Sequence, residues 1–169
     1  MVRRIVPAAA ILMFVLVAAQ PWGTLDGNEV MWPLLTLLPI HFWAFRQPQS
    51  VSSGLVFLAG MTADVLTGGP FGYWALVYLV GLGLSRRAHT MILSQNLVAS
   101  WVTFLIVMPL TACVGFGVAS AYAARLTDWY AIALAAAVGI AAQPVFGLLG
   151  GWLERQRAAH ALGPPVIGG

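Results

Sequence analysis

Long apolar runs separated by short polar stretches make up almost the whole chain. Six runs are long enough to form helices, at residues 5–22, 31–45, 51–66, 71–84, 97–123 and 129–153. A helix that crosses a bilayer needs ~20 mainly apolar residues, and ~17 can suffice. The pattern therefore predicts an all-α integral membrane protein with about six transmembrane helices, of which the second and fourth are short.

The composition points to the same class of protein. Hydrophobic residues make up 60% of the chain and charged residues 8%, and the mean hydropathy is +0.88. A soluble domain usually has about 25% charged residues, so this chain lacks the polar side chains to cover a globule in water. We expect one transmembrane domain at residues 1–154, surrounded by membrane lipid. Residues 155–169 form a Gly/Pro-rich tail that is predicted to be disordered.

The arginines indicate how the protein is oriented. With six spans and a cytoplasmic start, the outside contains only Arg125, close to Asp128. The inside contains Arg3, Arg4, Arg46, Arg86, Arg87, Arg155 and Arg157. Cytoplasmic loops carry an excess of Lys and Arg, so both termini are predicted to be cytoplasmic. The net charge of +3 then reflects orientation, and we expect no nucleic-acid partner.

The first apolar run has a second interpretation. The stretch "MVRRIVPAAAILMFVLVAAQPW" has the basic start, apolar stretch and small residues of a cleavable signal. Pro21 follows closely, however, and everything downstream is also apolar. These two features favour a first span that is retained in the protein.

One acidic side chain lies inside the third apolar run. Gly60, Asp64 and Gly68 are four residues apart and share a helix face, so a neighbouring backbone could approach the carboxylate. Gly68-Gly69-Pro70 predicts a tight turn, because glycine tolerates positive φ and proline cannot continue a helix. Pro70 suits the first turn of the fourth helix, and Gly72 would let that helix pack closely. The whole motif comprises Gly60, Asp64, Gly68, Gly69, Pro70 and Gly72.

Two roles remain open for Asp64. An ionisable group inside a membrane is costly and usually has a function. The first role is structural, in which the carboxylate accepts hydrogen bonds from the turn or from the start of the fourth helix. The second is a carboxylate that docks a partner or contacts a ligand.

Small residues recur along the sixth run and predict close helix packing. Gly139, Gln143, Gly147 and Gly151 are spaced by four residues, as in membrane helices that pack backbone to backbone. This strip could serve packing within the protein or an interface with another molecule. Pro144 should kink the helix, with Gln143 as a candidate partner for a carbonyl that the proline leaves free.

The sequence offers little for catalysis or metal binding. His41, His89 and His160 are far apart, and Cys113 is the lone cysteine, so no zinc site or disulfide is expected within the chain. "GLGLS" at residues 81–85 resembles a serine-hydrolase pattern only loosely. We therefore predict no catalytic residue, no metal ligand and no cofactor, and expect that the protein is not an enzyme.

The order of motifs resembles a known family. The stretch "LLTLLPIHFWAFRQPQSVSSGLVFLAGMTADVLTGGPFGYWALVYLVGLGL" covers roughly a third of the chain. Its features are an aromatic pair at Phe42-Trp43, a loop proline at Pro48, Gly60 followed by Asp64, and Gly72 after the turn. Outside this stretch, Pro144 lies in the last span. This combination resembles the core of the bacterial rod shape-determining protein MreD family. Pro39-Ile40-His41 departs from the plainly apolar residues of that family.

The resemblance implies a function and a set of partners. It implies a non-enzymatic inner-membrane scaffold of the cell-wall elongation machinery that binds bitopic MreC. Through MreC, it implies association with the RodA glycosyltransferase, a penicillin-binding transpeptidase and MreB filaments. It also implies a fold like the substrate-binding subunits of energy-coupling-factor vitamin transporters, and such a transporter subunit is the alternative function. A membrane-embedded enzyme is the least supported hypothesis, because the sequence shows no matched acid–base or nucleophile pair.

Overall fold

Helices make up all the regular structure in the described part of the chain. The computed structural model describes residues 2–20, 31–92, 96–124 and 128–161. The six α-helices there are α1 (Val2–Ala18), α2 (Leu37–Arg46), α3 (Ser53–Thr67), α4 (Tyr73–Met91), α5 (Leu97–Ala123) and α6 (Trp129–Ala161). A 3₁₀ helix, Trp32–Thr36, precedes α2. The predicted all-α class is confirmed, and α5 and α6 are long and apolar enough to cross a membrane.

The helix ends explain the two short apolar runs. The fourth run continues through polar residues, because α4 reaches Met91, seven residues beyond its predicted end. The second run divides into the 3₁₀ helix and the ten-residue α2. Pro33 and Pro39 lie in the first turns of these two helices, where a proline N–H would have no intrahelical partner.

The last helix is longer than expected. It continues to Ala161 and includes residues 155–161 of the tail that was predicted to be disordered. Residues 162–169 lie outside the described residues, and so does the predicted outer loop between the first two apolar runs, residues 23–30.

The short helix α2 forms the centre of the protein. All nine residues from Leu37 to Phe45 are buried. The helix packs against α1, α4, α5 and α6, while α3 pairs with α4 and α5 pairs with α6. A helix that is apolar on all sides can remain only where other elements surround it. Large apolar side chains on the outer helices remain exposed, among them Met13, Leu58, Ile106 and Leu148, as expected of a surface that lipid covers.

The two ends of the bundle differ in charge. The arginines whose side chains are described lie at one end, which we call the arginine end: Arg46, Arg86, Arg87 and Arg155. There Arg86 donates hydrogen bonds to the Val51 carbonyl at 2.6 Å and to Ser53 Oγ at 2.9 Å. Asp64 and Asp128 lie at the opposite end, near the C-terminus of α3 and the N-terminus of α6.

Three glycines on α6 are packed against side chains of α5 and α2. A Cβ added at Gly139 would lie 2.7 Å from Met108 Cε, and one at Gly147 would lie 2.9 Å from Leu97 Cδ2. The fourth contact belongs to Gly150 rather than to the predicted Gly151, because a Cβ at Gly150 would lie 2.7 Å from the Phe42 ring. Gly150 follows Gly139 by eleven residues, which places it within about 20° of the same helix face. Gly151 follows Gly139 by twelve residues and is therefore rotated by about 120° from that face.

The carbonyl that Pro144 leaves free has a partner other than the expected Gln143. Proline lacks the N–H that would bond the carbonyl four residues earlier, which belongs to Ile140. The indole N–H of Trp101 donates to the Ile140 carbonyl at 3.2 Å. Gln143 instead faces the interior, with its amide nitrogen 3.5 Å from Ser100 Oγ. The assignment of Gln143 to the free carbonyl was therefore wrong, since a side chain from α5 reaches it.

The packing of Gly150 can be tested with its neighbour as a control. We expect Gly150→Ala to lower the free energy of unfolding by about 1–3 kcal/mol, because the Phe42 ring is completely buried and cannot move aside. Gly151→Ala should change it little, since its Cβ would be 3.7 Å from the nearest atom. Thermal unfolding of the two purified variants in detergent measures the difference, and equal midpoints would contradict this packing.

Candidate functional site

The carboxylate of Asp64 joins the end of α3 to the beginning of α4. Oδ2 accepts a hydrogen bond from the backbone N–H of Gly72 and Oδ1 accepts one from that of Trp74, both at 2.8 Å. Gly72 is the N-cap of α4 and has no capping side chain of its own. The first N–H groups of a helix have no intrahelical acceptor. Asp64 therefore caps α4 from another helix.

The cap also explains how a carboxylate can be buried here. The Asp64 side chain is 1% exposed. A buried charge is tolerated when hydrogen bonds compensate its lost hydration, and a helix N-terminus favours a negative group. Charge-assisted hydrogen bonds to backbone N–H groups are stronger than neutral ones. The two bonds and the dipole of α4 supply this compensation.

Gly60 brings the two helices close enough for the cap. A Cβ at Gly60 would lie 2.5 Å from the Ala75 nitrogen and 2.9 Å from the Trp74 carbonyl carbon. Such distances are far inside van der Waals contact, so only glycine allows the backbones of α3 and α4 to touch there. Asp64 lies one turn further along the same face. The shared face of Gly60 and Asp64 is thus an interface between these two helices.

The glycines of the turn have a different role from Gly60. Gly68 ends α3 with φ 65° and Gly72 begins α4 with φ 91°, and a Cβ at either would meet no atom within 4 Å. The expectation that Gly72 allows close packing was therefore wrong, because its left-handed backbone is the reason for glycine. Pro70 lies before the N-cap rather than in the first turn of α4, and its carbonyl accepts from the Tyr73 N–H at 3.2 Å.

A cavity of about 470 Å³ adjoins this turn at the end of the protein opposite the arginines. Gly69, Pro70 and the aromatic side chains of Tyr73, Trp74 and Tyr122 line it. Asp64 is absent from its lining, and both carboxylate oxygens are bonded to the backbone. The geometry favours the structural role of Asp64 over direct contact with a ligand in this cavity.

A second group of polar residues lies in the middle of the protein, and most of its members were not expected from the sequence. This buried polar cluster consists of His41, Ser85, Ser100, Thr103 and Gln143. His41 Nδ1 is 2.9 Å from Ser85 Oγ, and Nε2 is 3.1 Å from the Ser100 carbonyl. These contacts connect α2, α4 and α5, while Gln143 adds α6. Ser100 and Thr103 lie one turn apart inside an apolar run, which is the signal that could have indicated them.

Ser85 and His41 are as close as a catalytic nucleophile and its base, but the groups around them are not those of a catalytic site. In a catalytic triad a third group, usually a carboxylate, orients the histidine. Here a backbone carbonyl occupies that position, and Ser85 Oγ also donates to the Gly81 carbonyl at 2.7 Å. The two side chains are 0% and 1% exposed. The arrangement connects helices. It therefore gives a structural role to His41, which departs from the plainly apolar residues of the family that the sequence resembles.

A shallow apolar groove runs between α5 and α6, and we call it the α5–α6 groove. Its volume is about 430 Å³, and its walls are almost entirely apolar. Cys113 on α5 and the small residues Ala133 and Ala137 on α6 line it. All three are exposed, so the groove is open on the outer surface of the helix pair.

Comparison with known proteins assigns the chain to a family. The model of the family described as rod shape-determining protein MreD matches residues 2–150, which include the Asp64 turn, the buried polar cluster and the α5–α6 groove. The chain belongs to the MreD family. Membership of the MreD family confirms the resemblance seen in the sequence and supports a role in determining rod shape.

A curated relative agrees with the family match. The rod shape-determining protein MreD of Haemophilus influenzae is 29% identical over 98 residues, which is 58% of this chain. The matched part spans 57% of the length of that relative. No solved structure matches the chain.

The cap formed by Asp64 predicts unequal effects of two substitutions. Asp64→Ala leaves the part-buried N–H of Gly72 and the buried N–H of Trp74 without their acceptor, and we expect a loss of about 2–4 kcal/mol in the free energy of unfolding. Asp64→Asn keeps one acceptor oxygen and should cost about half as much. Asp128→Ala is the control, because the Asp128 carboxylate accepts a hydrogen bond from the Tyr130 N–H at an exposed position. Thermal unfolding in detergent orders the variants, and equally harmless Ala and Asn variants at Asp64 would contradict the cap.

The turn glycines give a second matched pair. Gly72→Ala should destabilise the protein by about 1–2 kcal/mol, because a left-handed backbone disfavours an L side chain even where space is free. Gly69→Ala should have a small effect, since the Gly69 φ lies outside that region and its Cβ would be 3.5 Å from Thr67 Oγ1. Urea or thermal unfolding compares them. A larger loss at Gly69 than at Gly72 would be inconsistent with this account.

Proposed function

We propose that this protein is a non-enzymatic scaffold of the machinery that builds the lateral cell wall, and that it binds MreC in the inner membrane. The match of residues 2–150 to the MreD family carries the proposal. The geometry supports it, because Asp64 and the buried polar cluster both connect helices and are closed to solvent. Through MreC, the scaffold would position RodA, its transpeptidase partner and MreB filaments.

The proposed scaffold crosses the membrane six times with both termini in the cytoplasm. Support comes from the separation of charge along the bundle, with Arg46, Arg86, Arg87 and Arg155 together at one end. An excess of arginine marks the cytoplasmic side of a membrane protein. The exposed apolar side chains between the two ends would contact lipid or partner helices.

The α5–α6 groove is the surface that we propose for MreC. A bitopic partner contributes one transmembrane helix, and small residues allow such a helix to approach closely. Ala133 and Ala137 provide this surface on α6, four residues apart and exposed. The groove is apolar along its length, as the side of a partner helix would require.

A second candidate function is the substrate-binding subunit of a vitamin transporter of the energy-coupling-factor type. The observation in its favour is the cavity beside the Asp64 turn, with Tyr73, Trp74 and Tyr122 in its lining. Its volume of about 470 Å³ is within the range of small-molecule pockets. Incubating the purified protein with a panel of vitamins tests this function. A raised unfolding temperature with one vitamin would favour the transporter, and no change with any would count against it.

The scaffold function predicts which proteins are recovered with this chain. Affinity purification from native membranes in mild detergent should recover MreC and the wall-synthesis enzymes. Ala137→Trp places a bulky side chain in the groove, and we expect at least tenfold less MreC. Val145→Trp is the control, since Val145 is also exposed on α6 but lies outside the groove.

The outcomes separate the surface from the function. Equal recovery of MreC with both tryptophan variants would reject the groove as the binding surface but leave the scaffold intact. Recovery of a membrane coupling protein with paired ATPases, in place of MreC, would reject the scaffold. Unchanged cell shape and wall incorporation in a deletion strain under all growth conditions would reject it as well.

A further inference from the structure

An open cleft lies at the arginine end of the protein. Its volume is about 930 Å³, and it is bounded by the last turn of α2, the first turn of α5 and the C-terminal half of α6. The residues that matter for its chemistry are Arg46, Asn96, Leu97, Leu148, Trp152 and Arg155. None of these residues takes part in the Asp64 cap, the buried polar cluster or the α5–α6 groove.

Two guanidinium groups give the cleft a positive end. Arg46 is held in place, because its guanidinium carbon lies 5.0 Å from the centre of the Phe42 ring. Gly151 leaves room for it, since even an added Cβ there would be 3.7 Å from Nη1. Arg155 follows Gly151 by one turn of α6 and is exposed. Arginine matches phosphate oxygens with paired N–H donors, so two of them in one cleft suit a phosphate group.

The first turn of α5 adds to this positive end. Asn96 caps the helix by accepting a hydrogen bond from the Ala99 N–H at 2.7 Å. Leu97 and Val98, the first two residues of the helix, line the cleft. The N-terminus of a helix carries a partial positive charge and favours an anion. Here that terminus reinforces two arginines in the same cleft.

The remaining walls are apolar, and they lead to the outer surface of the helices. Leu148 and Leu149 line the cleft and are 61% and 59% exposed. Trp152 lies at the edge, and tryptophan is enriched where a membrane meets water. A soluble anion would contact the arginines but would gain no favourable contact with these apolar walls. A molecule with a phosphate at one end and a hydrocarbon chain at the other would contact both.

We propose that this cleft binds an anionic phospholipid. Arg155 holds the phosphate of the headgroup beside the positive charge of Arg46, and α5 and α6 cover part of an acyl chain. Basic pockets between helices on the cytoplasmic side are the kind of site that such headgroups occupy. The proposal relies on the membrane arrangement given above, in which the arginine end is cytoplasmic, but it does not depend on MreC. The lipid would connect three helices that come from distant parts of the chain.

Lipid binding can be measured on the purified full chain without any partner protein. The protein is depleted of lipid in a neutral detergent, and phosphatidylglycerol, phosphatidylcholine or inorganic phosphate is then added. We expect phosphatidylglycerol to raise the unfolding temperature by several degrees and to remain bound in native mass spectrometry. Phosphatidylcholine and inorganic phosphate at the same concentration should have little effect.

Two arginine variants test where the lipid binds. Arg155→Gln should weaken phosphatidylglycerol binding about tenfold, the loss expected for one charge-assisted contact. Arg87→Gln is the matched control, because Arg87 is exposed at the same end but does not line the cleft. Arg46→Gln should weaken binding similarly. Since Arg46 also contacts Phe42, Arg155→Gln gives the decisive result if the Arg46 variant does not fold.

Three results would overturn the proposal. Equal weakening by Arg87→Gln and Arg155→Gln would show a general attraction between charges. Equal stabilisation by phosphatidylcholine would show that the headgroup charge is not recognised. Stabilisation by inorganic phosphate as strong as that by the lipid would show a site for a free anion. Normal recovery of MreC with Arg155→Gln would leave the scaffold function intact in each case, so the two proposals can fail separately.

Discussion

The hydrogen bonds from the N-terminus of α4 to Asp64 determine how the chain turns back on itself at one end. Helices that meet inside an apolar environment must satisfy their terminal N–H groups within the protein. Asp64 does this for α4, and Gly60 removes the side chain that would keep the two helices apart. The Asp64 carboxylate reaches both N–H groups because the backbones of α3 and α4 touch at Gly60. The pairing of α3 with α4 therefore depends on two residues that are four positions apart.

The buried polar cluster has a related role in the middle of the protein. The helix α2 is too short to span the bundle and is surrounded on all sides, so it has no exposed face to fix its rotation. His41 sets the rotation of α2, since its two ring nitrogens contact α4 and α5. A polar group in a low-dielectric interior is costly when unpaired, which makes one arrangement much more favourable than the others. The same principle applies to Trp101, whose N–H reaches the carbonyl freed by Pro144.

These internal connections leave the outer surfaces available for other molecules. The α5–α6 groove and the cleft at the arginine end lie on different parts of the same helix pair, and neither is lined by Asp64 or by a member of the buried polar cluster. The proposed scaffold would use this separation, because a partner or a lipid could then bind without disturbing the Asp64 cap or the buried polar cluster. Membership of the MreD family gives the biological setting, and the surfaces give the chemistry of what could bind there.

The sequence by itself determined the helical class, the family and the bounds of α5, because apolar periodicity and local motifs depend on neighbouring residues. It also indicated that Asp64 could accept hydrogen bonds from the following turn, since the acceptor and its donors lie within ten residues. It did not indicate that Ser85, Ser100 and Thr103 would meet His41, that Gly150 rather than Gly151 would face Phe42, or that Trp101 would serve Ile140. Each of these contacts joins residues about 40 or more positions apart, and their partners are fixed only when the rotation and depth of packed helices are set.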